Sequence, residues 1–390
     1  MKLLKKGLKT FSDMDKVLFF TTLILIIFGS LNIVTASSRE AVLNAATNMF
    51  YFFFKHIVIL IISLIAFLIV IKIPTKNYKK WMPIIFIIVL GLNLFLVLKG
   101  VATRGATNWI DLGFMKIQPS ELAKPTIIIT LSLLFSANYK QLRNPKLRHD
   151  IIIWKIIIYG IIFPFIVFLQ KDLGTAIILF GIFAVLYIFS PMTTNEKIKA
   201  ALISIGALAV LLLLRLSLTG YILSGAQESR LNNFFNPCSK YEDTGYQVCN
   251  AFIAINNGGL TGVGIGKSTQ KYSYIPEPHT DMVFAIIAEE NGVIVCSLIF
   301  IAYLIIIYRI LKLSMRTNDL KNKYICIGVA TYIFLHILIN LGGLFGIIPL
   351  TGVPLPFLSY GGSFTLSLIA TLAVVQRIHI EMKNQKIKVK

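Results

Sequence analysis

Asp281 is the side chain in this sequence best placed to move a proton. It lies in YIPEPHTDMVFAIIAEE, residues 274–290, where two prolines and Glu277 lead into His279, Thr280 and Asp281 and an apolar helix follows at once. An ionised carboxylate at membrane depth is costly, so a chain that keeps one there generally uses it. From the residues alone three uses stand open: a general base, a station on a transport path, or an N-cap for the helix. Glu289 is eight residues further on, about 12 Å along a helix, too far to act on the same atom. Glu289 and Glu290 are therefore read as structural support, and Glu277 and His279 as residues that orient the Asp281 loop.

A second group lies in RGATNWIDLGFMKIQPSELAKP, residues 104–125. Trp109 suits an interfacial anchor. Glu121 and Lys124 are three apart at a helix start, share a face and can pair, with Ser120 as the expected N-cap. The alternative is that Lys116, Lys124 and Arg104 form a basic patch for an anionic head group. Asp172, in QKDLGTA, is read as a helix cap that also favours the dipole, and Arg215 as a snorkelling side chain.

Glycines 258, 259, 262, 264 and 266 do not form a phosphate loop, since no strand precedes them and the G-x-x-x-x-G-K-[ST] pattern is missing. They are expected to give tight turns or close packing. In IIPLTGVPLPFLSYGGS, residues 347–363, three prolines with Ser359, Gly361 and Gly362 imply broken helix, tolerated in a membrane only where protein buries it or it lines a cavity.

The elements that must position these groups are membrane helices. Hydrophobic residues make up 56% of the chain, charged residues only 14%, and mean hydropathy is +0.78, too little charge to cover a soluble protein of 390 residues. About ten spans are expected, near 17–35, 51–71, 83–98, 121–137, 153–169, 174–190, 200–218, 282–308, 324–348 and 360–379. The reading is an all-α integral membrane protein. Residues 1–16 form a basic cytoplasmic N-terminus, 17–379 one polytopic domain, and 380–390 a basic cytoplasmic tail. A large outer loop, about 219–281, joins helices seven and eight. Lys2 to Lys16 precede a segment without a small-residue cleavage site, so the first span is expected to stay as an anchor.

The net charge of +21 would suggest nucleic acid in a soluble protein. Here the N-terminus, the even-numbered loops and the C-terminus hold 26 of the 38 Lys and Arg against six acids. That is the positive-inside pattern, with both termini inside. The basicity is topology, and no nucleic-acid partner is expected. The long outer segments then make the outer face the functional one.

Cys296 and Cys326 fall in apolar spans and read as small core residues. Cys238 and Cys249 share the outer loop, where a disulfide and two free thiols both remain open. No Cys/His set has zinc spacing.

Taken in order, GATNWIDLG, IQPSELAK, QKDLGTA, GYQ, AINNGGLTGVGIGKSTQK, YIPEPHTDMVFAIIAEENG and PLTGVPLPFLSYGGS resemble the SEDS family (shape, elongation, division, sporulation) that includes FtsW and RodA. The resemblance runs from about residue 11 to 376, and GKSTQK followed by YIPEPHTD is similar to the division branch. It implies a ten-span fold and a peptidoglycan glycosyltransferase that polymerises lipid II at the outer face of the bacterial cytoplasmic membrane. It also implies a class B penicillin-binding protein as transpeptidase partner, other divisome proteins nearby, and a place at the septum. The family's essential aspartate falls on Asp281, its tryptophan on Trp109, and its basic lipid II positions on Lys116 and Lys124. Three departures stand out. Asn108 replaces a common arginine, Met282 replaces a phenylalanine, and the 238–249 stretch is atypical.

On this reading Asp281 takes the proton of the acceptor hydroxyl while Lys116, Lys124 and Arg104 offset pyrophosphate charge. A divalent cation, Mg or Mn, could share that task, although no metal cage is evident. The rival readings are a lipid II flippase without bond chemistry, an elongation polymerase of the RodA kind, and a catalytically silent scaffold. The polar groups cluster at the outer mouth rather than along a path, which weighs against transport.

Overall fold

The computed structural model describes residues 10–45, 48–99, 108–111, 116–144, 150–220, 244–272, 275 and 278–389, together with isolated positions between 225 and 238. The chain divides into two compact units. One comprises residues 1–76, 230–316 and 333–390, the other 77–229 and 317–332.

The first unit contains α1 (Lys16–Ala45), α2 (Tyr51–Val70) and the turn that carries Asp281. In α2 the buried residues are His56, Ile59 and Ser63. Phe54, Val58, Ile61, Leu64, Ile65 and Leu68 are exposed. Such a face would aggregate in water but is solvated by lipid tails. The second unit contains α3 (Tyr78–Lys99), the two-residue strands β1 (Ile110–Asp111) and β2 (Lys116–Ile117), α4 (Pro119–Ala137), α5 (Tyr139–Arg143), α6 (Asp150–Leu169), α7 (Leu173–Ile188) and α8 (Thr194–Thr219). There α4 packs against α3, α6 and α7. Back in the first unit, α9 (Thr244–Gly258) packs on α10 (Val283–Arg316), α10 on α1, and α12 (Ser363–Val389) on α2. The remaining helix, α11 (Leu320–Leu344), contributes its first half to the second unit and its second half to the first.

Among the described residues eight helices are long and apolar enough to cross a membrane, and Leu173–Ile188 is a shorter apolar helix. The expected boundaries differ most at α1, α10 and α12, which run about a turn or more past the apolar stretch into polar sequence. A helix ends where its backbone bonding ends rather than where its hydrophobicity does. Polar side chains inside the spans turn back on their own helix. Thr22, Ser30, Asn32, Ser37, Ser63, Asn93, Thr126, Ser132, Thr331 and Thr371 each donate to the carbonyl four residues earlier, the solution available where no water can help.

At the end of the first unit that carries basic loops, Arg309 Nε and Nη2 donate to Asp15 Oδ2 at 2.9 and 2.7 Å. Asp15 N donates to Gln376 Oε1, and Thr75 N and Oγ1 donate to the Glu381 carboxylate. These bonds join α1, α2's following turn, α10 and α12.

Candidate active site

Asp281 lies in a turn, residues 278–282, immediately before α10. Its carboxylate is half-buried, and Oδ1 accepts from Thr280 Oγ1 at 3.0 Å. Its carbonyl accepts from Asn340 Nδ2 at 2.7 Å. Gly352, at φ +73°, brings the proline-rich loop beside the carboxylate, and a Cβ there would stand 3.7 Å from Asp281 Oδ2.

His279 is buried in the same turn. Its Nδ1 is 3.3 Å from Glu40 Oε2, and its ring lies 4.4 Å from Phe52 and 5.3 Å from Tyr360. Its carbonyl accepts from Tyr360 N at 2.8 Å. Glu277 and Arg104 lie outside the described residues.

The loop that follows α11 is irregular backbone of the kind its prolines imply, and side chains from neighbouring helices satisfy its carbonyls. Val353 O accepts from Asn340 Nδ2, Pro354 O is 3.2 Å from His336 Nδ1, and Pro356 O accepts from Tyr303 Oη. Ser359 Oγ accepts from Leu355 N at 2.8 Å, a Cβ on Gly361 would make only ordinary contact with Phe364, and Gly362 O accepts from Leu366 N as α12 begins. Asp281, His279, Ser359 and the glycines after it thus belong to one neighbourhood.

Glu289 and Glu290 belong to another. The sequence reads as one continuous helix here, but α10 breaks at Gly292, with φ +76° and ψ +176°. The carbonyls freed by the break accept from the glycine-rich loop, Val263 N to Glu289 O and Gly264 N to Glu290 O. In return Val293 N and Ile294 N donate to Gly259 O and Leu260 O. A Cβ on Gly258, Gly262 or Gly292 would collide with the opposing backbone. These glycines are there to let two backbones meet. The Glu289 carboxylate accepts from Ser268 Oγ, from Thr269 N and Oγ1 at 3.2 and 2.9 Å, and from Gln270 N at 3.3 Å. Glu290 pairs with Lys271 at 3.1 Å, both buried.

In the second unit Asp172 is the N-cap of α7, Oδ1 accepting from Thr175 N at 3.1 Å. Its other oxygen accepts from Asn108 Nδ2 at 2.8 Å and Gln118 Nε2 at 2.7 Å. Asn108 therefore has a local role at the position where it departs from the family pattern. Beside it Trp109 is half-buried, and β1 pairs with β2 so that Asp111 faces Lys116. Lys124 Nζ lies 2.7 Å from Glu121 Oε1, with both side chains buried, and 5.6 Å from the Tyr332 ring centre. Of the patch expected of Lys116, Lys124 and Arg104, Arg104 lies outside the described residues and Lys124 is buried. Lys116 is exposed on a strand, while Lys124 is turned into the helix packing, where only a pair can hold its charge. Ser120 is not the N-cap. The helix starts at Pro119 with Gln118 as cap residue, and Ser120 Oγ is buried without a partner among the described residues.

Sequence reasoning missed Asn340, Glu40 and Lys271. Asn340 alone carried a usable signal, as an amide inside an apolar span. Cys238 and Cys249 are joined in a disulfide, Cα atoms 5.2 Å apart. Cys326 is buried and Cys296 half-buried in its span. Among the described residues no group of three or more His, Cys, Asp or Glu could hold a metal ion.

Against known proteins, the profile of the FtsW/RodA/SpoVE cell cycle proteins matches residues 15–384. A probable peptidoglycan glycosyltransferase FtsW from Wigglesworthia glossinidia brevipalpis is 31% identical over 378 residues, covering 95% of each chain. Among solved structures, a chain from work on the structural coordination of polymerization and crosslinking by a peptidoglycan synthase complex superposes with a TM-score of 0.72 at 20% identity. That match covers 95% of this chain and 98% of the other. The rod shape determining protein RodA of Thermus thermophilus gives 0.66 at 21% identity, covering 94% and 96%. At these identities the structures speak for the fold, whereas the profile spans nearly the whole chain: this protein belongs to the FtsW/RodA/SpoVE family of cell cycle proteins.

Proposed function

We propose that this chain is a peptidoglycan glycosyltransferase that polymerises lipid II at the outer face of the bacterial cytoplasmic membrane during septal wall synthesis. What carries the reading is Asp281, a half-buried carboxylate in a turn fixed by Tyr360 N on His279 O and by Asn340 on its own carbonyl. The family membership and the curated relative's name support it.

Asp281 accepts the proton of the GlcNAc 4-hydroxyl of the acceptor lipid II. The oxygen forms a bond to the anomeric carbon of the growing strand, the bond from that carbon to undecaprenyl pyrophosphate breaks, and configuration inverts. Thr280 Oγ1 holds one carboxylate oxygen, and Gly352 adds no side chain beside the other. A base needs hydrogen-bond reach before it needs a tuned pKa. Charge on the departing pyrophosphate is offset by Lys116 and Arg104, with Trp109 as interfacial anchor. Lys124, buried against Glu121, is not assigned that charge. Preorganised charge of this kind is where such a step gains most.

The further assignments are ten spans, both termini cytoplasmic, a large outer loop at about 219–281, a class B penicillin-binding protein as cognate transpeptidase, and recruitment to the septum with other divisome proteins. The similarity to a chain from a peptidoglycan synthase complex supports the transpeptidase partner.

Labelled lipid II, incubated with purified protein and its transpeptidase and resolved on a gel, tests the activity. Wild type should yield polymer, and Asp281→Ala none while remaining folded. Polymer from Asp281→Ala would overturn the mechanism, and translocation without polymer from wild type would favour a flippase.

A further inference from the structure

We propose that Asn340 is the positioning residue for the general base, an inference that rests on Asp281 acting as that base. Asn340 lies on the last turns of α11, buried, and its Nδ2 donates both to Asp281 O at 2.7 Å and to Val353 O at 2.8 Å. Two carbonyls can be met only by an amide nitrogen, so chemistry sets the orientation of the side chain. That orientation leaves Oδ1 buried with no donor among the described residues. An orphaned amide oxygen is unfavourable, and a leucine of similar shape would avoid it. What the asparagine supplies instead is the pair of bonds.

Those bonds act on geometry one peptide unit from the reacting side chain. The carbonyl of Asp281 and its Cβ share a Cα, so fixing the first restricts where the second points. Two residues earlier in the turn, Tyr360 N fixes His279 O at 2.8 Å. With both carbonyls anchored, the peptide planes that precede Thr280 and follow Asp281 are held, and Thr280 Oγ1 can select one carboxylate rotamer. The second bond ties the same turn to Val353, one residue from the Gly352 that borders the carboxylate. His336, one turn earlier on the same helix face, steadies Pro354 O at 3.2 Å. Asn340 therefore sets both the base and the loop that leaves room beside it.

The experiment is steady-state polymerisation of labelled lipid II by Asn340→Leu, purified with the cognate transpeptidase, beside wild type and Asp281→Ala. Misplacing a catalytic group by about 1 Å costs about 100-fold, so kcat should fall by roughly that factor while KM stays within about twofold, the split expected when an interaction serves the transition state. The thermal midpoint in detergent should remain near wild type. If Asn340→Leu does not fold, Asn340→Ala, which removes the donor without adding bulk, takes its place. Loss of folding in both makes Asn340 a folding residue and overturns the proposal, as does an unchanged kcat or a loss matched by the folded fraction. Should Asp281→Ala polymerise normally, it is the base assignment that fails. Should Asp281→Ala be inactive while Asn340→Leu turns over normally, the positioning role alone fails.

Discussion

At the scale of single residues, the acids of the 274–290 stretch divide by what meets them. Asp281 keeps one oxygen beside a glycine, whereas Glu289 is surrounded by donors from residues 268–270 and Glu290 by Lys271. The second pair makes a sharp prediction, because removing one partner of a buried ion pair strands the other. Lys271→Met should destabilise the protein by about 3–5 kcal/mol, and the double replacement Lys271→Met with Glu290→Leu should recover much of it. Thermal unfolding of the purified variants in detergent reads both. A double variant no better than the single would mean that the Lys271 ammonium matters mainly for its bond to Gly266 O. None of these pairings was legible beforehand. Glu290 and Lys271 are nineteen residues apart in sequence, and only tertiary packing brings them together. Asp281 was legible because an aspartate at the mouth of an apolar helix is rare on energetic grounds.

At the scale of elements, apolar runs located the spans because hydrocarbon leaves a chain few alternatives to helix. They could not show where a helix breaks inside its run. Gly292 lies in sequence that reads as uninterrupted helix, yet its φ and ψ fall in a region open essentially to glycine. Gly292→Ala should therefore cost about 1–3 kcal/mol from conformation alone, with more from the clash against Leu260 O and Gly262 N. The expected result is a lower thermal midpoint and release of the 259–264 loop, visible as faster amide hydrogen exchange at Val263 and Gly264. Slow exchange there in the variant would show that the two backbones do not depend on the break. The proline-rich loop behaved differently. Its prolines announced broken helix, but the side chains that satisfy it, His336, Asn340 and Tyr303, sit on helices where they read as isolated polar residues in apolar sequence.

At the scale of the whole molecule, the charge map implied sidedness, and the cysteines offer a way to measure it. The Cys238–Cys249 link closes an eleven-residue separation between α8 and α10, worth about 3 kcal/mol against the unlinked chain in the chain-entropy account. Since Cys249 lies on α9, which packs on α10, reduction should expose residues near 238 to protease before it affects the spans. Limited proteolysis with and without reductant shows whether it does. Equal cleavage rates would mean that packing of α9 alone holds the loop. The same arrangement has a practical corollary. All four cysteines are accounted for, two by the link, Cys326 by burial and Cys296 by its place in a span. The native chain thus offers no thiol to a water-borne, membrane-impermeant maleimide, and needs no cysteine-free background for labelling. Lys267→Cys should be tagged on intact spheroplasts and Lys312→Cys only after lysis. The opposite pattern would invert the protein in the membrane and place Asp281 on the side where the wall is not built.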